Sequence, residues 1–174
     1  MSGPRKIVLY IATSLDGYIA RKDGSVDWLP PLDDQDYGYS EFLATVDTVV
    51  MGRTTYEQLP ELGGYPYGGK KGYVFSTARK GRDANVEFVS GPAKEFAERL
   101  RSENGSDIWL VGGAELVDSF LSAGLIDRYI ISVVPVILGE GIPLFFPDGR
   151  ERILRLVESR SFPSGLVQST YEPR

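Results

Sequence analysis

A chain of 174 residues with 42% hydrophobic content and a formal net charge of −5 is sized for one globular domain, residues 1–174, with a substantial core. It has no Cys and no His, which excludes disulfides, thiolate zinc sites and nucleophile systems that depend on histidine; no metal is expected, and any chemistry is borrowed from a cofactor. The acidic balance argues against nucleic acid, and with no apolar run near membrane-spanning length and no signal-peptide pattern the expectation is a cytoplasmic protein that meets no membrane.

Lys6-Ile7-Val8-Leu9-Tyr10-Ile11-Ala12 is continuously apolar and β-branched at its centre, as expected of a strand covered on both faces. Thr13 to Gly24 carries two turn signals, Asp16-Gly17 and Asp23-Gly24, too far apart for one hairpin, so this is a long excursion of the kind that covers sites. Val26–Pro31 halts regular structure. Asp33, Asp34 and Asp36 then precede Phe42, Leu43 and Val46 at helical spacing, predicting a helix from about Asp36 to Val46 whose start Gly38 weakens.

Thr48-Val49-Val50-Met51 is a buried strand running straight into Gly52-Arg53-Thr54-Thr55, where a helix opens. Such a junction suits an anion: the first helical N–H groups lack partners, Arg53 offers a forked cation, and the Thr54 and Thr55 hydroxyls add donors. The same residues also read as a Thr-capped helix with a surface arginine. Gly63–Gly72 holds five glycines and reads as a mobile loop before the strand Gly72-Tyr73-Val74-Phe75-Ser76. Ser76-Thr77 is followed by Arg79, Lys80 and Arg82, either an anion rim or a solvated basic loop.

Val86-Glu87-Phe88-Val89 alternates as an edge-like strand, and Ser90-Gly91-Pro92 precedes a helix with Phe96, Ala97 and Leu100 on one face. Ile108-Trp109-Leu110-Val111 then runs into Gly112-Gly113 and a helix over Ala114–Ala123, a second strand–glycine–helix junction whose glycines let backbone approach a pyrophosphate. No G-x-G-x-x-G is present, which disfavours a doubly wound dinucleotide domain. Arg128–Val136 is a long strand in which Pro135 suggests an edge or a bulge. Ile137–Phe146 is too apolar to be left in water, which predicts cover by substrate or a homodimer built on Val133–Phe146. Leu154–Ser161 and Leu166–Tyr171 close the chain as an antiparallel hairpin.

Met51-Gly52-Arg53 followed by Thr55-Tyr56-Glu57 after an apolar strand resembles the cofactor-binding turn of the dihydrofolate reductase superfamily. Ser14-Leu15-Asp16-Gly17-Tyr18-Ile19-Ala20, Val111-Gly112-Gly113-Ala114-Glu115-Leu116 and Pro135–Phe145 are similar to blocks of its riboflavin branch, the reductase half of the bifunctional deaminase-reductase. The blocks occur in order along nearly the whole chain. The resemblance implies an α/β fold of three layers, dihydrofolate-reductase-like, with a mixed, mostly parallel sheet of about eight strands flanked by helices and a C-terminal antiparallel hairpin.

It further implies an NADPH-dependent reductase acting on a small heterocyclic or sugar carbonyl substrate, such as 5-amino-6-(5-phosphoribosylamino)uracil. The cofactor would meet Ala12, the loop bearing Gly17, Gly52, Arg53, Thr54, Thr55, Ser76, Thr77, Arg79, and the run Val111, Gly112, Gly113, Ala114, Glu115 and Leu116. Asp16, in the loop over the nicotinamide, or Asp36, at the folate-type position, would assist protonation. Dihydrofolate reduction, and a nucleotide-binding module without turnover, are the alternatives.

Overall fold

The computed structural model describes residues 3–31 and 35–174, so Asp33 and Asp34 of the expected capping cluster lie outside the described residues. The chain runs through β1 (Ile7–Ser14), β2 (Tyr18–Ala20), α1 (Tyr39–Thr45), β3 (Val46–Gly52), α2 (Arg53–Gln58), β4 (Lys71–Phe75), β5 (Gly81–Arg82) and β6 (Val86–Val89). It continues through α3 (Ala93–Ser102), β7 (Asp107–Gly112), α4 (Ala114–Ser122), β8 (Arg128–Val134), β9 (Ile142–Pro143), β10 (Leu154–Ser161) and β11 (Val167–Pro173).

The continuous apolar runs become the middle of a nine-stranded sheet ordered β10-β11-β8-β1-β7-β3-β4-β6-β5. Neighbours from β8 across to β6 are parallel, whereas β11 against β8, β10 against β11 and β5 against β6 are antiparallel. Because successive side chains of a strand point to opposite faces, each run feeds two cores. Ile7, Leu9, Val50, Ile108 and Leu110 pack on one face with Phe96, Ala97 and Leu100 of α3 and Leu116, Val117, Phe120 and Leu121 of α4. Val8, Val49, Met51 and Trp109 pack on the other with Phe42 of α1 and Leu59 beyond α2. The result is the expected helix–sheet–helix sandwich closed by an antiparallel hairpin. Each fully buried aliphatic or aromatic side chain contributes about 1.5–3 kcal/mol by leaving water.

The structure redraws several boundaries. The basic stretch after Ser76 supplies β5, which pairs with β6, so Val86–Val89 is not the edge of the sheet. β8 lies between β1 and β11 and ends at Val134. Pro135, which has no N–H to donate, therefore stands just past an inner strand rather than within an edge strand or a bulge. α1 begins at Tyr39 instead of Asp36 because Tyr37 and Gly38 have φ of 54° and 76°, values that no helical residue adopts. Asp36 still serves that helix from outside, its carboxylate accepting Ser40 N–H at 3.0 Å and Ser40 Oγ–H at 2.9 Å. Within the glycine-rich 63–72 loop, the Tyr67 ring is buried and meets Trp109 edge-on at 5.2 Å. Among the described residues no helix is long and apolar enough to cross a membrane.

Candidate functional site

Parallel strands put their C-terminal ends at one edge of a sheet, where ligands of open α/β folds collect. Here β3 and β7 are neighbours, with Met51 opposite Gly112, so the two strand–glycine–helix junctions face one another. The approach is close: a Cβ on Gly52 would lie 3.8 Å from Gly113 N, and a Cβ on Gly113 would lie 3.4 Å from Thr55 Oγ1. Gly112 holds φ of 124°, a region that L side chains rarely adopt.

Around these turns opens a cleft of about 850 Å3, within the size range of small-molecule and cofactor sites. Gly52, Arg53, Thr54 and Thr55 line it from the first junction, and Gly113, Ala114, Glu115 and Leu116 from the second. Ser76 and Thr77, at the end of β4, complete the set of expected residues on its wall. The Ser76 hydroxyl also accepts the Ala78 and Arg79 N–H groups at 3.2 and 3.0 Å, which fixes the turn beyond it. The charge is mixed: Arg53, 3.7 Å from Glu57, and Lys22, 2.6 Å from Glu140, are the cations of the lining, with Asp23 and Glu115 as its carboxylates.

Other expected residues lie outside the lining. Arg79 places its guanidinium 4.1 Å from the Phe88 ring centroid and 4.0 Å from the Asp83 carboxylate. Ala12, Val111 and Gly112 belong to strands below the cleft, and Gly17, with φ of 87°, turns the chain from β1 into β2. Asp36 stands at the head of α1.

Asp16 faces away from the cleft into a neighbouring loop. Its carboxylate accepts Ser14 Oγ–H at 2.7 Å, Leu138 N–H at 3.1 Å and Gly139 N–H at 2.8 Å. The Ser14 bond first, and then the two backbone bonds, hold this carboxyl below the usual carboxylate range despite partial desolvation. It is therefore an ionised acceptor at neutral pH, the opposite of a proton donor.

The cleft also uses Ile19 and Ala20, from the loop expected to cover the site, and residues that the sequence did not single out. Ser90 and Gly91 follow β6, which runs parallel to β4 and so delivers them to the same edge; the pattern of parallel strands was the available signal. Ile19, Ala20, Ile142 and Phe146 form a roof, because β2 pairs antiparallel with β9 as a separate two-stranded ribbon. Lys22, Asp23 and Gly24 continue that roof to Gln58 of α2, whose side-chain nitrogen would lie 2.7 Å from a Cβ on Gly24.

Residues 76–168 match the family model described as the RibD C-terminal domain. The uncharacterised protein YwjB of Bacillus subtilis (strain 168) is 49% identical over 161 residues, covering 91% of this chain and 92% of its own. The chain belongs to the RibD C-terminal domain family. A crystal structure from Shewanella sp. PV-4, provisionally assigned to riboflavin biosynthesis, superposes with a TM-score of 0.87 at 29% identity, covering 97% of this chain and 99% of that one. Dihydrofolate reductase from Enterococcus faecalis, in complex with NADP(H), superposes with a TM-score of 0.72 at 14% identity, covering 97% and 96%. That likeness establishes the dihydrofolate-reductase-like fold.

Proposed function

We propose that the chain is an NADPH-dependent reductase that delivers a hydride to a small heterocyclic or sugar carbonyl substrate, of the kind represented by 5-amino-6-(5-phosphoribosylamino)uracil. The observation that carries this reading is the apposition of Gly52-Arg53 and Gly113-Ala114 in one cleft, where the two glycines leave bare backbone in the space that side chains would fill. A pyrophosphate fits such a cradle, because N–H groups at the start of a helix have no intrahelical partners. Arg53 stands where a further phosphate would be paired, with the Thr54 and Thr55 hydroxyls beside it as neutral donors. When bound, NADPH would supply the hydride that a chain without His or Cys cannot generate itself. The protein's own work is to bind and orient, and the roof of Ile19, Ala20, Ile142 and Phe146 would keep water from the reacting face.

Asp16 and Asp36 were the expected proton donors, and both carboxylates are engaged in local hydrogen bonds instead. We therefore assign the substrate proton to water. Titration with NADPH followed by an oxidation assay over pyrimidine and pterin substrates tests the reading. Absence of NADPH binding overturns it; binding without turnover on any substrate points to a nucleotide-binding module, and turnover on dihydrofolate alone points to the folate-type activity.

A further inference from the structure

The roof of the cleft is anchored to the core by Ile19 and Leu144, but its own strand pairing is short. β2 and β9 contribute three and two residues, with an irregular register between Tyr18 and Ala20, too little ladder to fix the ribbon's position by strand pairing alone. Its two flanking loops are nevertheless bound together at one point. Asp16, in the turn that leads into β2, receives the Leu138 and Gly139 N–H groups from the loop that leads into β9. Ser14, at the end of β1, braces the first of these loops, donating its hydroxyl proton to Asp16 and accepting Tyr18 N–H at 2.9 Å. Leu15 N–H to Val136 O at 2.8 Å and Leu144 N–H to Gly17 O at 3.0 Å complete the junction. Asp16 is the ionised member of this set, and hydrogen bonds to a charged acceptor are about twice as strong as neutral ones.

We propose that Asp16 is a positioning residue: it clamps the 136–141 loop to the 15–17 turn and so sets the β2–β9 ribbon over the cleft, controlling how fast a bound nucleotide leaves. The assignment rests on the nucleotide reading of the cleft. It differs from a proton-donor role because the carboxylate acts through the ribbon and touches neither substrate nor cofactor. Asparagine cannot replace it, since Leu138 and Gly139 donate to different carboxylate oxygens and in the amide one of these becomes an NH2 that faces an N–H.

The test uses the full-length protein with Asp16→Asn, and Asp127→Asn as a control. Asp127 accepts Ile7 N–H at 2.8 Å and pairs with Arg101 at 2.6 Å at the opposite end of the strands, so its loss costs stability without touching the ribbon. Amide hydrogen exchange on the free protein should be faster over residues 136–144 in Asp16→Asn and unchanged there in Asp127→Asn. NADPH dissociation, followed by stopped-flow fluorescence, should be roughly tenfold faster in Asp16→Asn alone, with the association rate kept within about twofold. Unchanged exchange over 136–144 overturns the clamp. Faster exchange with an unchanged off-rate overturns the control of release. If the wild type does not bind NADPH, the functional reading fails, and the exchange comparison still decides whether Asp16 positions the ribbon.

Discussion

The guanidinium of Arg79 lies 4.1 Å from the centre of the Phe88 ring. It is also 4.0 Å from the Asp83 carboxylate and 5.9 Å from the Tyr56 ring. A cation held over an aromatic face and beside a carboxylate has satisfied partners, and moving it to a phosphate would give them up. Arg53 has only an exposed pairing with Glu57 at 3.7 Å to lose.

The two arginines should therefore separate in nucleotide discrimination. Arg53→Ala should weaken NADPH binding by about ten- to a hundredfold, corresponding to roughly 1.5–3 kcal/mol for a charge-assisted pair, and leave NADH binding nearly unchanged. Arg79→Ala should leave the ratio of the two affinities close to that of the wild type. Fluorescence titration with both nucleotides decides it, and an unchanged ratio in Arg53→Ala removes that residue from phosphate recognition.

The glycine floor makes a second, independent demand on the cleft. Gly113 has φ of −75°, outside the left-handed region. Its Cβ would stand 3.4 Å from Thr55 Oγ1, between the two junctions. Gly113→Ala should reduce NADPH affinity at least about tenfold, since the added methyl occupies ligand space. Equal affinities in variant and wild type would mean that no phosphate approaches this backbone.

Much of this arrangement was legible in the residues. The runs around Val8, Val49 and Ile108 announced doubly covered strands, and the glycines after Met51 and Val111 announced turns, because both signals are local. The roof was not. Pairing Tyr18–Ala20 with Ile142–Pro143 joins segments more than a hundred residues apart, and neither has enough alternation to read as a strand. Asp16 shows the same limit: its place after Ser14-Leu15 matched a familiar block, but the Leu138 and Gly139 donors that define its role come from the far end of the chain. Gly38 misled in a smaller way. Read as a weak helical residue, it is a left-handed turn that postpones the helix to Tyr39.

Asp36 gives a prediction that separates capping from catalysis. Asparagine keeps an oxygen that can accept Ser40 N–H, so Asp36→Asn should cost no more than about 0.5–1 kcal/mol of stability. Turnover on an active substrate should stay within about twofold of the wild type. A loss of turnover with stability retained would return Asp36 to the folate-type role.

Ile137 is 71% exposed and Phe145 is 46% exposed, although Leu144 between them is buried in the core. Leu15, also exposed, is bonded through its N–H to Val136 O beside Ile137. We expect this surface to be covered by a second copy of the chain in solution. Sedimentation at micromolar concentration should show a dimer, and Ile137→Lys should raise the monomer fraction. A wild-type monomer under those conditions sinks the proposal.

Tyr56 and Asp83 tie α2 to the segment before β6 through a hydrogen bond from the phenol to the carboxylate, and this pair should leave a signature at both ends of the pH scale. Burial first, and then the bond to Asp83, push the Tyr56 hydroxyl up from its usual 10.0 to about 12. Burial also raises Asp83, but the bond from Tyr56 and the Asn85 and Val86 N–H groups outweigh it, so the carboxyl sits below its usual 3.8. The signs follow. A tyrosine with a raised folded pKa contributes stability that is complete below about pH 10 and is lost as pH climbs toward about 12. A carboxyl with a depressed pKa contributes stability that is present above its ordinary value and is lost as pH falls through the lowered one. The difference in melting temperature between wild type and Tyr56→Phe should therefore be flat between about pH 5 and 9, shrink on the alkaline side from about pH 10, and narrow below about pH 4 as Asp83 protonates. Because Asn85 and Val86 N–H still hold Asp83 in the variant at 2.9 and 3.0 Å, the acid limb should shrink less than the alkaline one. A difference near zero at every pH would show that the hydrogen bond to Asp83 adds nothing and that α2 is held by the ring's packing against Phe88, 5.8 Å away, which phenylalanine keeps.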